Sequence, residues 1–62
     1  MTLSTEIFKG QPEYSVIDQD GTLVARAHCV QVQAGLFTVV VGGKWKGVLP
    51  EAQAVAFLKG LC

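Results

Sequence analysis

The sequence predicts an α+β domain: an antiparallel four-strand meander sheet with one C-terminal helix packed on one face. Three observations lead there. Glycine-containing turn dipeptides recur at Asp20-Gly21, Ala34-Gly35 and Gly42-Gly43, between short runs rich in β-branched and aromatic residues. The stretch from Ala52 to Leu61 has no β-branched residue except Val55, and it follows Pro50-Glu51, a pair suited to a helix start. Half of the residues are hydrophobic while 16% are charged, a balance that favours a folded chain over a disordered one.

A chain of 62 residues has room for one domain, 1–62, with a thin core. Its two cysteines, Cys29 and Cys62, are too few for a disulfide scaffold, and a single histidine leaves no set with zinc spacing. No cofactor or metal is expected. Charged residues interrupt every apolar run well short of a membrane span, and no charged n-region precedes an apolar segment, so a soluble, cytoplasmic protein is expected. Five basic residues balance five acidic ones, so no long-range field steers the chain toward nucleic acid or an anionic membrane.

The elements follow in order. Residues 1–11 carry Ser4 and Thr5 as candidate caps, but Gly10 and Pro12 stop anything regular, and this segment is read as an N-terminal arm of undefined structure. The β meander is placed at 13–49. Asp20-Gly21 predicts a two-residue type I′ hairpin with Gln19 opposite Thr22. Counting outward sets Asp18 beside Leu23, Val16 beside Ala25 and Tyr14 beside Ala27, so Tyr14, Val16, Leu23, Ala25 and Ala27 share one face while Ser15, Ile17, Val24 and Arg26 share the other.

Ala34-Gly35 predicts a tight turn pairing Val32 with Phe37 and Val30 with Val39. The inward residues are then odd-numbered up to Ala27 and even-numbered after it, a change that requires a β-bulge near His28-Cys29. A three-residue Gly42-Gly43-Lys44 loop aligns Val41 with Trp45, Val39 with Gly47 and Phe37 with Leu49, which packs Trp45 under the helix. The helix itself spans 50–61, with Pro50 at its first position, Glu51 at the positive end of the dipole, and Ala54, Val55, Phe57, Leu58 and Leu61 on its apolar side.

Four local patterns invite chemistry. Asp18-Gln19-Asp20-Gly21-Thr22 begins like a calcium loop, but Arg26 and Ala27 stand where oxygen ligands would continue, and a hairpin turn explains it. His28-Cys29 suggests a base and a nucleophile, yet neighbours in a strand point to opposite faces. Cys62 could join two chains only in an oxidising medium. Gly42-Gly43-Lys44-Trp45-Lys46-Gly47 mixes glycines, cations and an indole that could grip phosphate or stack on a base, although it is no Walker sequence.

Strands followed by a helix resemble in outline the small DNA-binding domains of the integrase-arm type, with Lys44, Trp45 and Lys46 carrying the resemblance. Those domains read the major groove with faces rich in Arg and Lys, whereas the outer sheet face here offers mainly Arg26 and Lys46. No acid-base pair or nucleophile constellation can be assembled, so the chain is not expected to be an enzyme.

What stands out is an outer sheet face carrying Ile17, Val24, Arg26, Val40, Lys46 and Val48 with no second layer over it. The expected function is a small, non-catalytic protein-interaction module that forms a homodimer through this open face, of a size that suits an accessory protein of a phage or mobile element. The alternative is a weak nucleic-acid or nucleotide binder using Arg26, Lys44, Trp45 and Lys46. Under a competing account, the arm covers the outer face through Ile7 and Phe8.

Overall fold

A computed structural model describes residues 1–62. It is α+β, with an antiparallel sheet in meander order and a C-terminal helix packed on it. The sheet has five strands rather than four: β1 (Thr2–Phe8), β2 (Gln11–Ile17), β3 (Leu23–Gln31), β4 (Leu36–Val41) and β5 (Lys44–Pro50), followed by α1 (Glu51–Lys59).

The added strand is the N-terminal segment. It does not fold over the outer face; it pairs edge-on with β2 from Thr2↔Ile17 to Phe8↔Gln11. The missed turn is Lys9-Gly10, whose φ values of 52° and 79° are those of a type I′ hairpin. Lys is not a residue that advertises positive φ, which is why the turn is hard to see in the sequence.

In both the β2–β3 and β4–β5 hairpins, the expected turn length is wrong by one residue and a bulge compensates. Around Asp20-Gly21, Asp18 N–H donates to the Thr22 carbonyl and Gly21 N–H to the Asp18 carbonyl, which makes Gln19-Asp20-Gly21 a three-residue loop. Only Gly21 has positive φ (82°), so the turn is not type I′. Asp18 sets this geometry because its Oδ1 accepts from the backbone N–H of both Asp20 and Thr22, at 2.9 Å each. Ile17 then pairs with Leu23, and an irregularity beyond it leaves Val24 as the extra residue, so Val16↔Ala25 and Tyr14↔Ala27 follow as expected.

The β4–β5 hairpin errs in the opposite sense. Gly42 and Gly43, at φ 58° and 81°, form a two-residue turn with Val41 opposite Lys44. A bulge at Lys46 restores Val39↔Gly47 and Phe37↔Leu49. Trp45 consequently pairs with Val40 on the outer face instead of lying under the helix.

The β3–β4 pairing differs throughout. Cys29 pairs with Phe37, Ala27 with Val39 and Gln31 with Leu36, so Val30 and Val32 are exposed rather than inward. The inward residues of β3 stay odd-numbered through Cys29, and the register shift falls just beyond, at Val30. The four residues Val32–Gly35 turn the chain, with Gly35 N–H bonded to the Val32 carbonyl.

The core is Val16, Ala25, Ala27, Phe37 and Val39 from the sheet with Ala54 and Leu58 from the helix. The small Ala25 and Ala27 let the helix approach, and Leu58, fully buried, fills the space between. Leu3, Tyr14, Cys29, Val41, Leu49 and Leu61 pack around this centre. Pro50 ends β5 and serves as the N-cap rather than the first helical residue. Glu51 N–H bonds the Gly35 carbonyl, which docks the helix start on the β3–β4 turn. Phe57, expected inside, is 40% exposed. The helix lies over β2 to β5, and no helix is long and apolar enough to cross a membrane.

Candidate interaction surface

The outer face is organised by two rows of cross-strand neighbours. One runs Glu6, Glu13, His28, Thr38, Val48 and the other Ser4, Ser15, Arg26, Val40, Trp45, from β1 to β5. Each row is polar over β1 to β3; the second turns apolar at Val40 and Trp45, and the first stays polar through Thr38 and turns apolar at Val48. The face is therefore two half-faces of different chemistry, whereas the expected face intersperses Arg26 and Lys46 among Ile17, Val24, Val40 and Val48.

The apolar half centres on Trp45, 67% exposed. Its Nε1–H donates to Thr38 Oγ1 at 2.8 Å, diagonally across the β4–β5 ladder. Val40 is half-buried beside it, and Val48 is exposed opposite Thr38. Lys44 and Lys46 are exposed on either side of Trp45 in sequence, Lys46 as the bulged residue.

The polar half holds Arg26, whose Nε lies 3.3 Å from Glu13 Oε1. Both ends of this ion pair reach solvent, so it orders the surface more than it stabilises the fold. His28 shares the outer face with them, whereas Cys29 turns inward against the core, so the two do not form a base and nucleophile pair.

Ile17 is half-buried at the end of β2, opposite the exposed Leu23, which the sequence pattern assigns to the inner face. Val24 does not join the apolar half: as the bulged residue it packs against the core cluster, and its carbonyl accepts from Gly42 N–H at 2.8 Å. Of the six residues expected on the interaction face, Arg26, Val40 and Val48 lie on the outer face in adjoining rows, Arg26 directly opposite Val40, and Trp45 joins them opposite Val40.

A shallow concavity of about 490 Å³ at the β1–β2 turn brings Arg26, His28 and Cys29 together with Phe8, Lys9, Gln11, Pro12 and Glu13, a grouping that the sequence reading does not select. The Lys9 ammonium stands 5.5 Å from the Phe8 ring centroid. Nothing in the composition marks this place, because it depends on β1 being a strand. No group of three or more His, Cys, Asp or Glu side chains assembles anywhere in the molecule.

Partial burial raises the pKa of the Tyr14 phenol above its ordinary value of 10.0, helped by its hydrogen bond to Glu51 and the nearby carboxylate charge. Tyr14 lies on the helix side of the sheet, so this shift belongs to the core and not to the open face. Comparison with protein-family models, with curated proteins and with solved structures found no match.

Proposed function

We propose that the protein is a small, non-catalytic protein-interaction module that works through the open face of its sheet, seating a protein surface, in the simplest case that of a second copy, on Val40, Trp45 and Val48. The observation that carries this reading is the Trp45–Thr38 hydrogen bond. An indole covered by an apolar surface normally forfeits a hydrogen bond to water unless its N–H finds a partner there. Here Thr38 already satisfies the N–H at 2.8 Å, so the ring can be covered without leaving an unpaired donor. A tryptophan held in one orientation and still exposed also loses little side-chain freedom on binding.

Trp45 is the only tryptophan, so its emission reports this surface directly. With a second copy as occupant, iodide should quench Trp45 freely in dilute protein, and raising the concentration should shift its emission to the blue and protect it. Val48→Lys should abolish the protection. Emission and quenching that stay constant over a concentration range in which the protein self-associates would remove a second copy from this face.

A second reading rests on the same exposed ring. Lys44 and Lys46 flank Trp45 and are themselves exposed, the arrangement that stacks a base and contacts phosphate. Arg26, engaged by Glu13, contributes less. Under this reading a single-stranded oligonucleotide should quench Trp45 at low salt, with affinity falling steeply as salt rises. No quenching at low salt would discard it.

A further inference from the structure

We propose that the free edge of β1 is a second contact between copies of this chain, pairing antiparallel with β1 of another copy about a two-fold axis so that two five-stranded sheets become one. This contact does not rest on the reading above: the β1 edge and the open face are different surfaces, and two chains can join through β1 whether or not a copy also seats on Trp45.

The two edges of the sheet are not alike. The β5 edge is interrupted by the Lys46 bulge, by Gly47 at φ 126° and by Pro50, and it carries Lys44 and Lys46, all features that discourage strand addition. The β1 edge has none of these. It pairs with β2 over seven residues without a bulge, contains no proline and bears one charge, Glu6.

The backbone bonding pattern fixes what that edge offers. The type I′ turn at Lys9-Gly10 makes Phe8 and Gln11 the pair that exchanges both backbone hydrogen bonds. Alternation then commits Thr2, Ser4, Glu6 and Phe8 to β2 and turns the N–H and C=O groups of Leu3, Thr5 and Ile7 to the free side. An added antiparallel strand must present its own outward groups to these three residues.

With the axis through Thr5, Leu3 of one copy faces Ile7 of the other and Thr5 faces Thr5. All seven residues of each strand then pair, with about six backbone hydrogen bonds across the contact, two for each facing pair. Glu6 falls opposite Ser4. Sliding the strands by two residues in one direction sets Glu6 against Glu6, which like-charge repulsion opposes, and sliding the other way shortens the overlap. The side chains fit the same register. Ile7 is 71% exposed on the helix side of the sheet, where α1 covers β2 to β5, and the pairing places it against Leu3 of the second copy.

Sedimentation equilibrium of the full chain, under reducing conditions and from about 1 to 200 μM, tests this; the contact is small enough that micromolar affinity is expected. Thr5→Pro removes an N–H that does not serve the β1–β2 ladder, and an edge strand tolerates proline there. It should raise the dimer dissociation constant at least tenfold while circular dichroism stays that of the parent. Ile7→Lys, an exposed position, should do the same and decides the matter if Thr5→Pro fails to fold. Trp45→Ala and Val48→Lys should leave this dimer intact. A dimer that survives both edge substitutions overturns the β1 contact, and if Val48→Lys dissolves it, the open face is the contact instead. A parent chain that stays monomeric throughout overturns self-association by either surface.

Discussion

The Tyr14 hydroxyl donates to Glu51 Oε2 at 2.9 Å, joining the second strand to the first residue of the helix across 37 positions of sequence. The same ring lies 5.8 Å from Phe37, centroid to centroid, and tilted by 48°. The hydrogen bond ties the helix start to β2, the ring contact packs β2 against β4 within the sheet, and the hydrogen bond makes the fold sensitive to high pH.

Because the folded-state pKa of Tyr14 is raised, the folded protein holds this proton more tightly than the unfolded chain does. The contribution is complete below the unfolded value of about 10 and is lost as pH rises through the folded value. Urea midpoints should therefore fall above about pH 10, and Tyr14→Phe should remove this component while costing roughly 0.5–1.5 kcal/mol at neutral pH. A Tyr14→Phe variant that keeps the parent's alkaline profile would mean that other groups cause the fall.

The Asp18 loop should be sensitive at two points. Gly21→Val forces a β-branched residue to φ 82° and should cost roughly 1–3 kcal/mol. Asp18→Ala should cost about 1 kcal/mol, since Asp20 and Thr22 lose the acceptor of their N–H groups. Chemical denaturation of each variant measures both, and unchanged midpoints would contradict the loop geometry.

Leu58→Ala empties the largest fully buried side-chain site and should cost roughly 2–5 kcal/mol. A domain this small commonly has only about 3–5 kcal/mol to lose, so the variant should be largely unfolded at about 37 °C. Far-ultraviolet circular dichroism with temperature checks this; a midpoint close to the parent's would show that the neighbours close the cavity.

Deleting Lys46 should be tolerated better than Leu58→Ala. Removal of the bulged residue leaves Trp45 opposite Val40 and Gly47 opposite Val39, so every other side chain keeps its face. The deletion variant should fold with Trp45 still accessible to iodide. An indole that becomes protected in dilute protein would show that the strand had slipped.

The same bulge explains which parts of the fold are legible in the sequence. Tyr14, Val16, Ala25 and Ala27 fall where the pattern puts them because their register is fixed by burial of small and branched residues against the helix, whichever turn connects them. A loop one residue longer than expected at Asp18–Thr22 is cancelled by a bulge at Val24, and one residue shorter at Gly42-Gly43 is cancelled by a bulge at Lys46. What the cancellation hides lies between turn and bulge. There Leu23 and Trp45 face the opposite side from that expected, and Trp45 is the residue on which the candidate surface depends. The β3–β4 segment has no such correction, since Val30 and Val32 are as apolar as Cys29 and Phe37 and pattern alone does not choose between the two alignments. β1 escapes notice because a strand with only Leu3, Ile7 and Phe8 as large apolar residues, ended by Lys9-Gly10, resembles an irregular arm.

The order of the strands in the sheet is their order in the chain, and this has a kinetic consequence. Each hairpin can close using residues already near one another, so little loop-closure entropy opposes the first steps, and a sheet can grow one hairpin at a time. Docking of the helix is the step that brings distant positions together, through Tyr14 with Glu51 and through Leu58 with the core. Folding should be fast for a β-rich chain, with helix docking committing the molecule. In the monomer, at concentrations too low for β1 to pair with a second copy, β1 should be the first strand to exchange its amide protons, because opening it breaks a single ladder and exposes little of the core.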